Sequence, residues 1–306
     1  MGSVFKRLRQ PAVCDVLRKA AYIGPSAILY VLFKAFFKYP IYFFTLLLFV
    51  KNIRALTEMF LFRDSVRCLE FRWGLGRFRL NVEEVLLFAE LLSHGIYCYN
   101  IGDRVFAHFR GGYISSPNIN RLSFLIEPFD KQYHVFDYAG RVLDVGGYLG
   151  ETAFLFKIWG SDEVVVYEPD HVLARHTRET MLLNGVKGVV HELYVNCSSS
   201  HNSISWFEVL KEKFDIAKLD CEGCEKSLLS LPDEYLRNVP KWVMECHNPQ
   251  ILSRLVNKFL KAGFRVTYKL YLREKGVYNF LGREMDINSQ TKIPKGFMYI
   301  LIAHRL

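Results

Sequence analysis

Apolar residues in the second half of the chain fall into short segments that predict strands and helices in turn. Val142 to Val145 and Val164 to Tyr167 are β-branched runs typical of buried strands. Between them, residues 152–159 carry apolar side chains at helical spacing, and Gly160 is a helix stop signal. Further strands are predicted at residues 193–195, 214–220, 242–245 and 298–305. Alternating strands and helices indicate an α/β fold with a mostly parallel sheet.

The segment before these strands predicts smaller elements. Ser65 to Leu80 alternates apolar and basic residues around two glycines, which predicts a β-hairpin. Asn81 with Glu84 three positions later fits a capping box, so a helix is expected from there to near Gly95. Short strands are expected in residues 97–113. Residues 63–137 are therefore interpreted as an accessory hairpin and helix region.

The strand that begins at Val142 runs into a turn with the pattern D-x-G-x-x-x-G, formed by Asp144, Gly146, Gly147 and Gly150. Glycines there let the backbone approach a ligand closely. Glu168 ends the next strand about 20 residues later, where a carboxylate can accept both ribose hydroxyls of a nucleoside. Because the dinucleotide spacing G-x-G-x-x-G does not occur in this turn, we expect a nucleoside without phosphates. The acid at the turn favours a cationic one, S-adenosylmethionine.

A second strand runs into an acidic turn that holds Asp220 and Glu222, and a helix is predicted to start near Glu225. Ligands of open α/β sheets bind outside the carboxyl ends of the strands, so Asp220 is predicted to line both the cofactor site and the methyl-transfer site. Glu222 and His247 are the other candidates for a catalytic base. Glu222 has helix capping as its alternative role, and His247, just before Asn248-Pro249, has a structural role in a turn. Asn196 follows the predicted third strand and is expected near the adenine.

Four short blocks follow one another over residues 141–306. They are Asp144-Val145-Gly146 to Gly150-Glu151-Thr152, Val166-Tyr167-Glu168-Pro169-Asp170, Lys218-Leu219-Asp220-Cys221-Glu222-Gly223-Cys224-Glu225 and Val243-Met244-Glu245-Cys246-His247. The set resembles the FkbM-type family of S-adenosylmethionine-dependent methyltransferases. This chain has Tyr148 where the family usually has Asn, and Cys221 and Cys224 where it has small apolar residues.

The resemblance implies a Rossmann-like class I methyltransferase fold for residues 138–306, with a mostly parallel seven-stranded sheet whose last strand is antiparallel. It also implies an enzyme that uses S-adenosyl-L-methionine as cofactor. The expected reaction is O-methylation of a hydroxyl on a glycan, a lipid-linked sugar or a small metabolite.

The cysteines suggest a second interpretation of the acidic turn. Cys221, Cys224, Cys246 and His247 form a set of soft ligands that suits tetrahedral zinc. A structural zinc site usually shows two clean paired motifs, so we expect no metal. The seven cysteines are odd in number and scattered, and no signal peptide is recognisable. They predict reduced thiols in a cytoplasmic protein.

The positive charge lies at the front of the chain. Residues 1–80 contain 14 Lys and Arg but 4 Asp and Glu, so they account for the whole net charge of +9. Two uncharged, aromatic-rich runs, Ala20 to Phe33 and Tyr39 to Val50, lie among these bases. Pro25 and Pro40 are expected to break the segment into short helices.

Residues 1–62 are therefore predicted to form an apolar, basic helical extension. Three interpretations stay open for residues 18–54: binding to the inner surface of a membrane, burial against the catalytic domain or a dimer partner, and a true span with snorkelling lysines.

Two other classes of function are alternatives to a methyltransferase that acts on a glycan, a lipid-linked sugar or a small metabolite. The basic front end suits an RNA-directed methyltransferase or RNA-binding protein. However, its cations flank apolar runs, and Asp220-Cys221-Glu222-Gly223 stands where base-methylating enzymes usually show N-P-P-Y, so nucleic acid is not the expected partner. The third class is a cofactor-binding membrane scaffold without turnover. An apolar content of 51% excludes a disordered chain.

Overall fold

The computed structural model describes residues 40–53, 55–56, 59, 66–274, 277–280, 285–286 and 298–305. The chain divides into two compact units, Met1–Ile126 and Glu127–Leu306. The first apolar run, Ala20 to Phe33 with Pro25, lies outside the described residues.

The described residues of the first unit include helices and two small antiparallel sheets. Its elements are α1 (Pro40–Phe49), β1 (Arg67–Phe71), β2 (Gly76–Leu80), α2 (Val82–Ser93), β3 (Tyr97–Ile101), β4 (Arg104–Phe109), β5 (Gly112–Ser116) and a 3-10 helix at Ile119–Ile126. β1 and β2 form the predicted hairpin, and β3 to β5 confirm the short strands expected around residues 97–113. The capping box is confirmed, because Asn81 and Glu84 each accept the backbone N–H of the other.

The second apolar run forms α1. Pro40 is the first residue of this helix, a position where proline costs no hydrogen bond, so a short helix begins at the proline where a break in the segment was predicted. Leu46 and Val50 are fully buried, and α1 packs against α2. This part of the run therefore contributes to the core of the first unit. Among the described residues, none of the helices has the length and apolar character needed to cross a bilayer.

The second unit is an α/β domain around one large sheet. Its strands are β6 (Gly140–Val145), β7 (Ser161–Tyr167), β8 (Gly188–His191), β9 (Tyr194–Asn196), β10 (Ser203–Ser205), β11 (Ile216–Leu219), β12 (Lys241–Cys246), β13 (Arg265–Glu274), β14 (Val277–Phe280), β15 (Met285–Asp286) and β16 (Met298–His304). Its α-helices are α3 (Phe129–Gln132), α4 (Glu151–Ile158), α5 (His171–Leu183), α6 (Trp206–Val209), α7 (Asp233–Leu236) and α8 (Pro249–Lys261).

The strand order of the large sheet is β14-β13-β16-β12-β11-β6-β7-β8, with β15 paired to β13. β8, β7, β6, β11 and β12 run parallel, while β16 lies antiparallel between β12 and β13. This is the predicted Rossmann-like class I methyltransferase sheet with its last strand reversed. β14 and β15 extend the sheet beyond the seven predicted strands.

Alternate residues of the central strands enter different hydrophobic clusters. Val142 and Val164 belong to one cluster, and Leu143 and Val165 belong to the other. Because successive side chains of a strand point to opposite faces, the sheet is buried on both sides. This burial explains the continuous apolar runs in the sequence.

Two sequence-based assignments are wrong. The third strand of the sheet is β8, whereas Tyr194 to Asn196 forms β9, which pairs with β10 in a separate two-stranded sheet. The helix predicted to start near Glu225 is a 3-10 helix at Cys224–Ser230. Both segments are short, and short segments take their conformation from tertiary contacts more than from local pattern.

Candidate active site

The carboxyl ends of three parallel strands bring the predicted turns to one edge of the sheet. β6, β7 and β11 end at Val145, Tyr167 and Leu219, and Val145 is paired in register with the other two. Each end is followed directly by a predicted site residue, namely Gly146, Glu168 and Asp220. The three turns therefore begin at the same level of the sheet.

The glycine loop packs tightly against its neighbours. Gly146 has φ +85 and Gly150 has φ +82, in the left-handed region that disfavours side chains. A Cβ atom on Gly146 would overlap the carbonyl oxygen of Asp220, and one on Gly147 would overlap the side chain of Val166. The turn after β6 and the turn after β11 are therefore in backbone contact.

Asp144 lies beneath this loop. Its carboxylate is fully buried and accepts hydrogen bonds from Lys218 Nζ at 2.9 Å and from Thr152 Oγ1 at 2.5 Å. Lys218 Nζ also donates to the carbonyl oxygen of Gly146 at 2.8 Å. Burial alone would lower the pKa of Lys218, but Asp144 and Asp220 raise it above its ordinary value, so the ammonium stays charged. Asp144 thus holds Lys218 in the position from which it donates to the glycine loop.

Glu168 is held in place by backbone groups. It is 6% exposed, and its two oxygens accept the N–H of Tyr148 at 2.9 Å and of Asp170 at 3.0 Å. Burial raises the pKa of Glu168, and the two backbone hydrogen bonds oppose that rise. A carboxylate oxygen has two acceptor positions, so each oxygen can accept one further hydroxyl.

Glu151 is a buried acid that the sequence patterns did not single out as a site residue. It begins α4, and its Oε2 accepts the N–H of Leu149 at 3.1 Å. Burial raises the pKa of Glu151 to about 8, although the nearby Lys218 opposes the rise. Glu151 is therefore largely protonated at neutral pH.

A buried tyrosine joins the acids at the ends of β11 and β12. The hydroxyl of Tyr133 lies 2.7 Å from Asp220 Oδ2 and 3.2 Å from Glu245 Oε2. A hydroxyl has one proton, so it can donate fully to only one of these carboxylates at a time. The ring of Tyr133 also lies 5.6 Å from Lys218 Nζ.

His247 and Glu222 complete this group of polar side chains. His247 Nε2 lies 3.4 Å from Glu245 Oε1 and 3.5 Å from Glu222 Oε2. The side chain of Glu222 is 86% exposed, whereas that of Glu245 is 7% exposed. Asp220, Glu222 and His247, predicted as catalytic candidates, therefore lie in one group together with Glu245.

The predicted adenine contact lies elsewhere. Asn196 is exposed on β9, outside the large sheet, and its Oδ1 accepts the N–H of Cys197 at 2.8 Å. Its expected position depended on the incorrect third strand. The third strand of the sheet ends at His191, whose carbonyl accepts the N–H of Glu168 at 3.0 Å.

The structure corrects the cysteine predictions. Cys221 and Cys224 are joined in a disulfide, and Cys246 is buried. The expectation of seven reduced thiols is therefore wrong for this pair, and the zinc set of these three cysteines with His247 is not available. The described residues that could hold a metal ion are Asp220, Glu245 and His247, whose ligand atoms lie within 4.8 Å of one another.

Four polar residues of this region were not predicted as site residues: Tyr133, Glu151, Lys218 and Glu245. Glu151, Lys218 and Glu245 lie inside the motif blocks. Each is an ionisable residue at a position where a buried strand or helix usually has an apolar one, and this could have identified them as site residues. Tyr133 stands 87 positions before Asp220 and has no local signal.

The solved structures with a similar fold include several proteins named as methyltransferases. TYW2 from M. jannaschii in complex with AdoMet is 11% identical with a TM-score of 0.42, covering 68% of this chain and 89% of its own. TrmK from M. capricolum in complex with S-adenosyl-homocysteine is 6% identical with a TM-score of 0.41, covering 58% and 68%. The ribosomal protein L11 methylase from Lactobacillus delbrueckii subsp. bulgaricus is 15% identical with a TM-score of 0.34, covering 54% and 70%.

No protein-family model matches the chain, and no curated protein matches it. At identities and TM-scores this low, the similar structures transfer neither a substrate nor a residue role to this chain. The functional conclusions below therefore rest on the geometry of the strand ends.

Proposed function

We propose that the second unit binds S-adenosyl-L-methionine at the carboxyl ends of β6, β7 and β11 and catalyses methyl transfer. The observation that carries the proposal is the position of Glu168. This buried carboxylate ends the strand next to β6, and it is bonded to the backbone of the glycine loop itself, at Tyr148. A carboxylate fixed there is suited to anchor the ribose hydroxyls of a nucleoside.

The roles of the predicted cofactor residues follow from their positions. Gly146, Gly147 and Gly150 shape the loop that the ligand would approach. Asp144 acts indirectly, because its carboxylate is fully buried and is hydrogen-bonded to Lys218 and Thr152. An adenine contact from Asn196 is not part of the proposal, since the strand that placed it there is in another sheet.

The charge of the site suits a cationic ligand. Glu168, Asp220, Glu222 and Glu245 are acids at this edge, while the buried Lys218 is already paired with Asp144. S-adenosylmethionine carries a sulfonium and an ammonium group, and acids near these centres stabilise them.

Methyl transfer needs alignment more than covalent help, because the sulfonium of the cofactor supplies an already activated methyl group. For a hydroxyl acceptor, a base that takes the proton typically contributes about 100- to 10,000-fold. His247 is the best-placed base, since Glu245 can orient its imidazole. The buried hydroxyl of Tyr133 already occupies the space between Asp220 and Glu245 and holds both carboxylates in place.

For the acceptor, we propose a hydroxyl of a glycan, a lipid-linked sugar or a small metabolite. Support comes from the FkbM-type motif blocks and from the acidic character of the strand ends, which repels a phosphate backbone.

The test is calorimetric titration of the full-length protein with S-adenosylhomocysteine. We expect Glu168→Ala to weaken binding about 10- to 100-fold, because hydrogen bonds to a charged group contribute about 1.5–3 kcal/mol. Glu163→Gln is the matched control, because Glu163 lies on the same strand, away from its carboxyl end, and pairs with Arg141. It should bind like the wild type.

Circular dichroism melting must show that Glu168→Ala is folded. Wild-type protein that does not bind S-adenosylhomocysteine would refute the cofactor assignment. Equal affinity of wild type and Glu168→Ala would refute the ribose anchor. Incubation with methyl-tritiated S-adenosylmethionine and separate glycolipid, small-molecule and RNA fractions would then identify the acceptor class, and label found only in RNA would overturn the proposed acceptor.

A further inference from the structure

The Cys221–Cys224 disulfide lies directly beside the proposed cofactor site. Cys221 follows Asp220 at the end of β11, and Cys224 begins the 3-10 helix Cys224–Ser230. The bond thus closes a ring of four residues that contains Glu222 and Gly223. Asp220 is bonded directly to the first residue of this ring.

The backbone inside this ring has an uncommon conformation. Glu222 has φ +53 and Gly223 has φ +118. The left-handed region costs a residue with a Cβ atom roughly 1–2 kcal/mol, so a covalent restraint on the ring helps to hold Glu222 there. The disulfide is such a restraint, and its reduction would allow the ring to relax.

Relaxation of the ring would reach the glycine loop. A Cβ atom on Gly146 would come within 3.1 Å of the Cα of Cys221, in addition to its overlap with Asp220. Two backbone segments this close cannot move independently, because there is no side chain between them to adapt. The state of the disulfide and the shape of the glycine loop are therefore mechanically coupled.

The two sulfur-bearing residues are also accessible. Cys221 and Cys224 are half-buried, whereas the free cysteines Cys98 and Cys246 are buried. A partly exposed C-x-x-C pair is an arrangement that favours thiol–disulfide exchange.

We propose that Cys221 and Cys224 form a reversible redox couple that exchanges with small-molecule thiols and disulfides and sets the affinity of the neighbouring strand-end site for its cofactor. The identity of that cofactor rests on the proposed function. The oxidised form, whose ring is fixed, is the form that binds well.

The exchange is balanced in atoms and electrons. A thiolate of a small thiol such as glutathione attacks one sulfur of the bond, which breaks and leaves a mixed disulfide and one cysteine thiolate. A second glutathione thiolate attacks the glutathione sulfur of the mixed disulfide and displaces the second cysteine thiolate, so two electrons pass to the protein and oxidised glutathione is released. Protonation then gives two cysteine thiols, and oxidised glutathione reverses the sequence.

The first measurement needs no cofactor. The full-length native protein is equilibrated in a series of glutathione buffers, its thiols are trapped with iodoacetamide, and the labelled cysteines are identified by mass spectrometry. We expect labels on Cys221 and Cys224 to appear together as the buffer becomes more reducing. Cys68, a free and exposed cysteine of the first unit, can be blocked only as a mixed disulfide with glutathione, which mass spectrometry distinguishes from the Cys221–Cys224 bond.

The second measurement is S-adenosylhomocysteine affinity of the oxidised and reduced forms by calorimetry. We expect the oxidised form to bind about 5- to 150-fold more tightly, the usual range of coupling between two sites. The variant Cys221→Ser with Cys224→Ser should bind like the reduced form in every buffer. Cys68→Ser, the matched control, should respond like the wild type.

Each outcome decides one claim. If Cys221 and Cys224 are labelled in all buffers or in none, the couple is not reversible and the inference is overturned. If they titrate but both forms bind equally well, control of affinity is overturned while the cofactor assignment stands. If neither form binds S-adenosylhomocysteine, the cofactor assignment fails, and with it the control of affinity, although the redox titration stands by itself.

Discussion

At the scale of single residues, the polar groups under the glycine loop form a buried network. Asp144, Lys218 and Thr152 satisfy one another, and their mutual hydrogen bonds offset the cost of burying two charges. Glu151 lies in the same region but has no cation of its own, and burial raises the pKa of its carboxyl group to about 8. The network therefore contains one acid that changes its charge near neutral pH.

Stability should depend on pH through Glu151. Its pKa in the folded protein is about 8 and its model value is 4.5, so the folded state holds a proton that the unfolded state has lost. The free energy of unfolding should therefore fall as pH rises from about 4.5 to 8, by up to about 1.4 kcal/mol per pH unit. Urea unfolding across this range measures the slope.

The variant Glu151→Gln isolates that contribution. A glutamine keeps an oxygen that can accept the N–H of Leu149, but it cannot ionise. The variant should match the wild type near pH 5 and be more stable near pH 9. If the difference in unfolding free energy does not change with pH, Glu151 is not the titrating group.

At the scale of elements, the site depends on the contact between the turns after β6 and β11. Gly146→Ala should lower the free energy of unfolding by about 2–4 kcal/mol, because it adds a left-handed penalty and an overlap with Asp220. Gly160→Ala is the control: Gly160 has φ +106, but a Cβ atom there meets open space. It should cost only about 1–2 kcal/mol, and equal losses for the two variants would contradict the tight contact.

The sequence predicted the parts of the fold that have strong periodicity or a clear chemical signal. The β-branched runs of β6 and β7 and the capping box at Asn81 gave their elements within a few residues. β14 and β15 escaped prediction, since they depend on pairing with β13 rather than on local pattern. The segment at Tyr194 was correctly predicted as a strand, but its own residues do not indicate which other strand it pairs with.

The sequence predicted those site residues whose positions follow from the order of the strands alone. Glu168 and Asp220 end strands that flank β6, so the rule for ligands at the carboxyl ends of parallel strands placed them together. The role of Tyr133 was not predictable. It is hydrogen-bonded to Asp220, which lies 87 positions away, and the residues around Tyr133 and around Asp220 do not indicate this contact. The disulfide was not predicted either, because the odd number of scattered cysteines had been taken to indicate an intracellular protein with reduced thiols.

At the scale of the whole molecule, the basic front end is the region whose role is least determined by the fold. α1 packs within the first unit, so the membrane contact predicted for the basic front end is expected from residues 1–39. We expect deletion of residues 1–39 to abolish co-sedimentation with phosphatidylglycerol vesicles and to leave S-adenosylhomocysteine affinity unchanged. The full-length chain is the control, and equal sedimentation of both proteins would contradict a membrane role for this segment.

The position of β16 has a consequence for how the second unit is made. β16 fills the gap between β12 and β13, yet it is synthesised after both. While the ribosome is still adding residues 275–297, β13 has no neighbour through which to join the sheet, and β12 presents an unpaired apolar edge. Completion of the sheet is therefore postponed until β16 has emerged, and a nascent chain halted before it would expose an edge that favours aggregation.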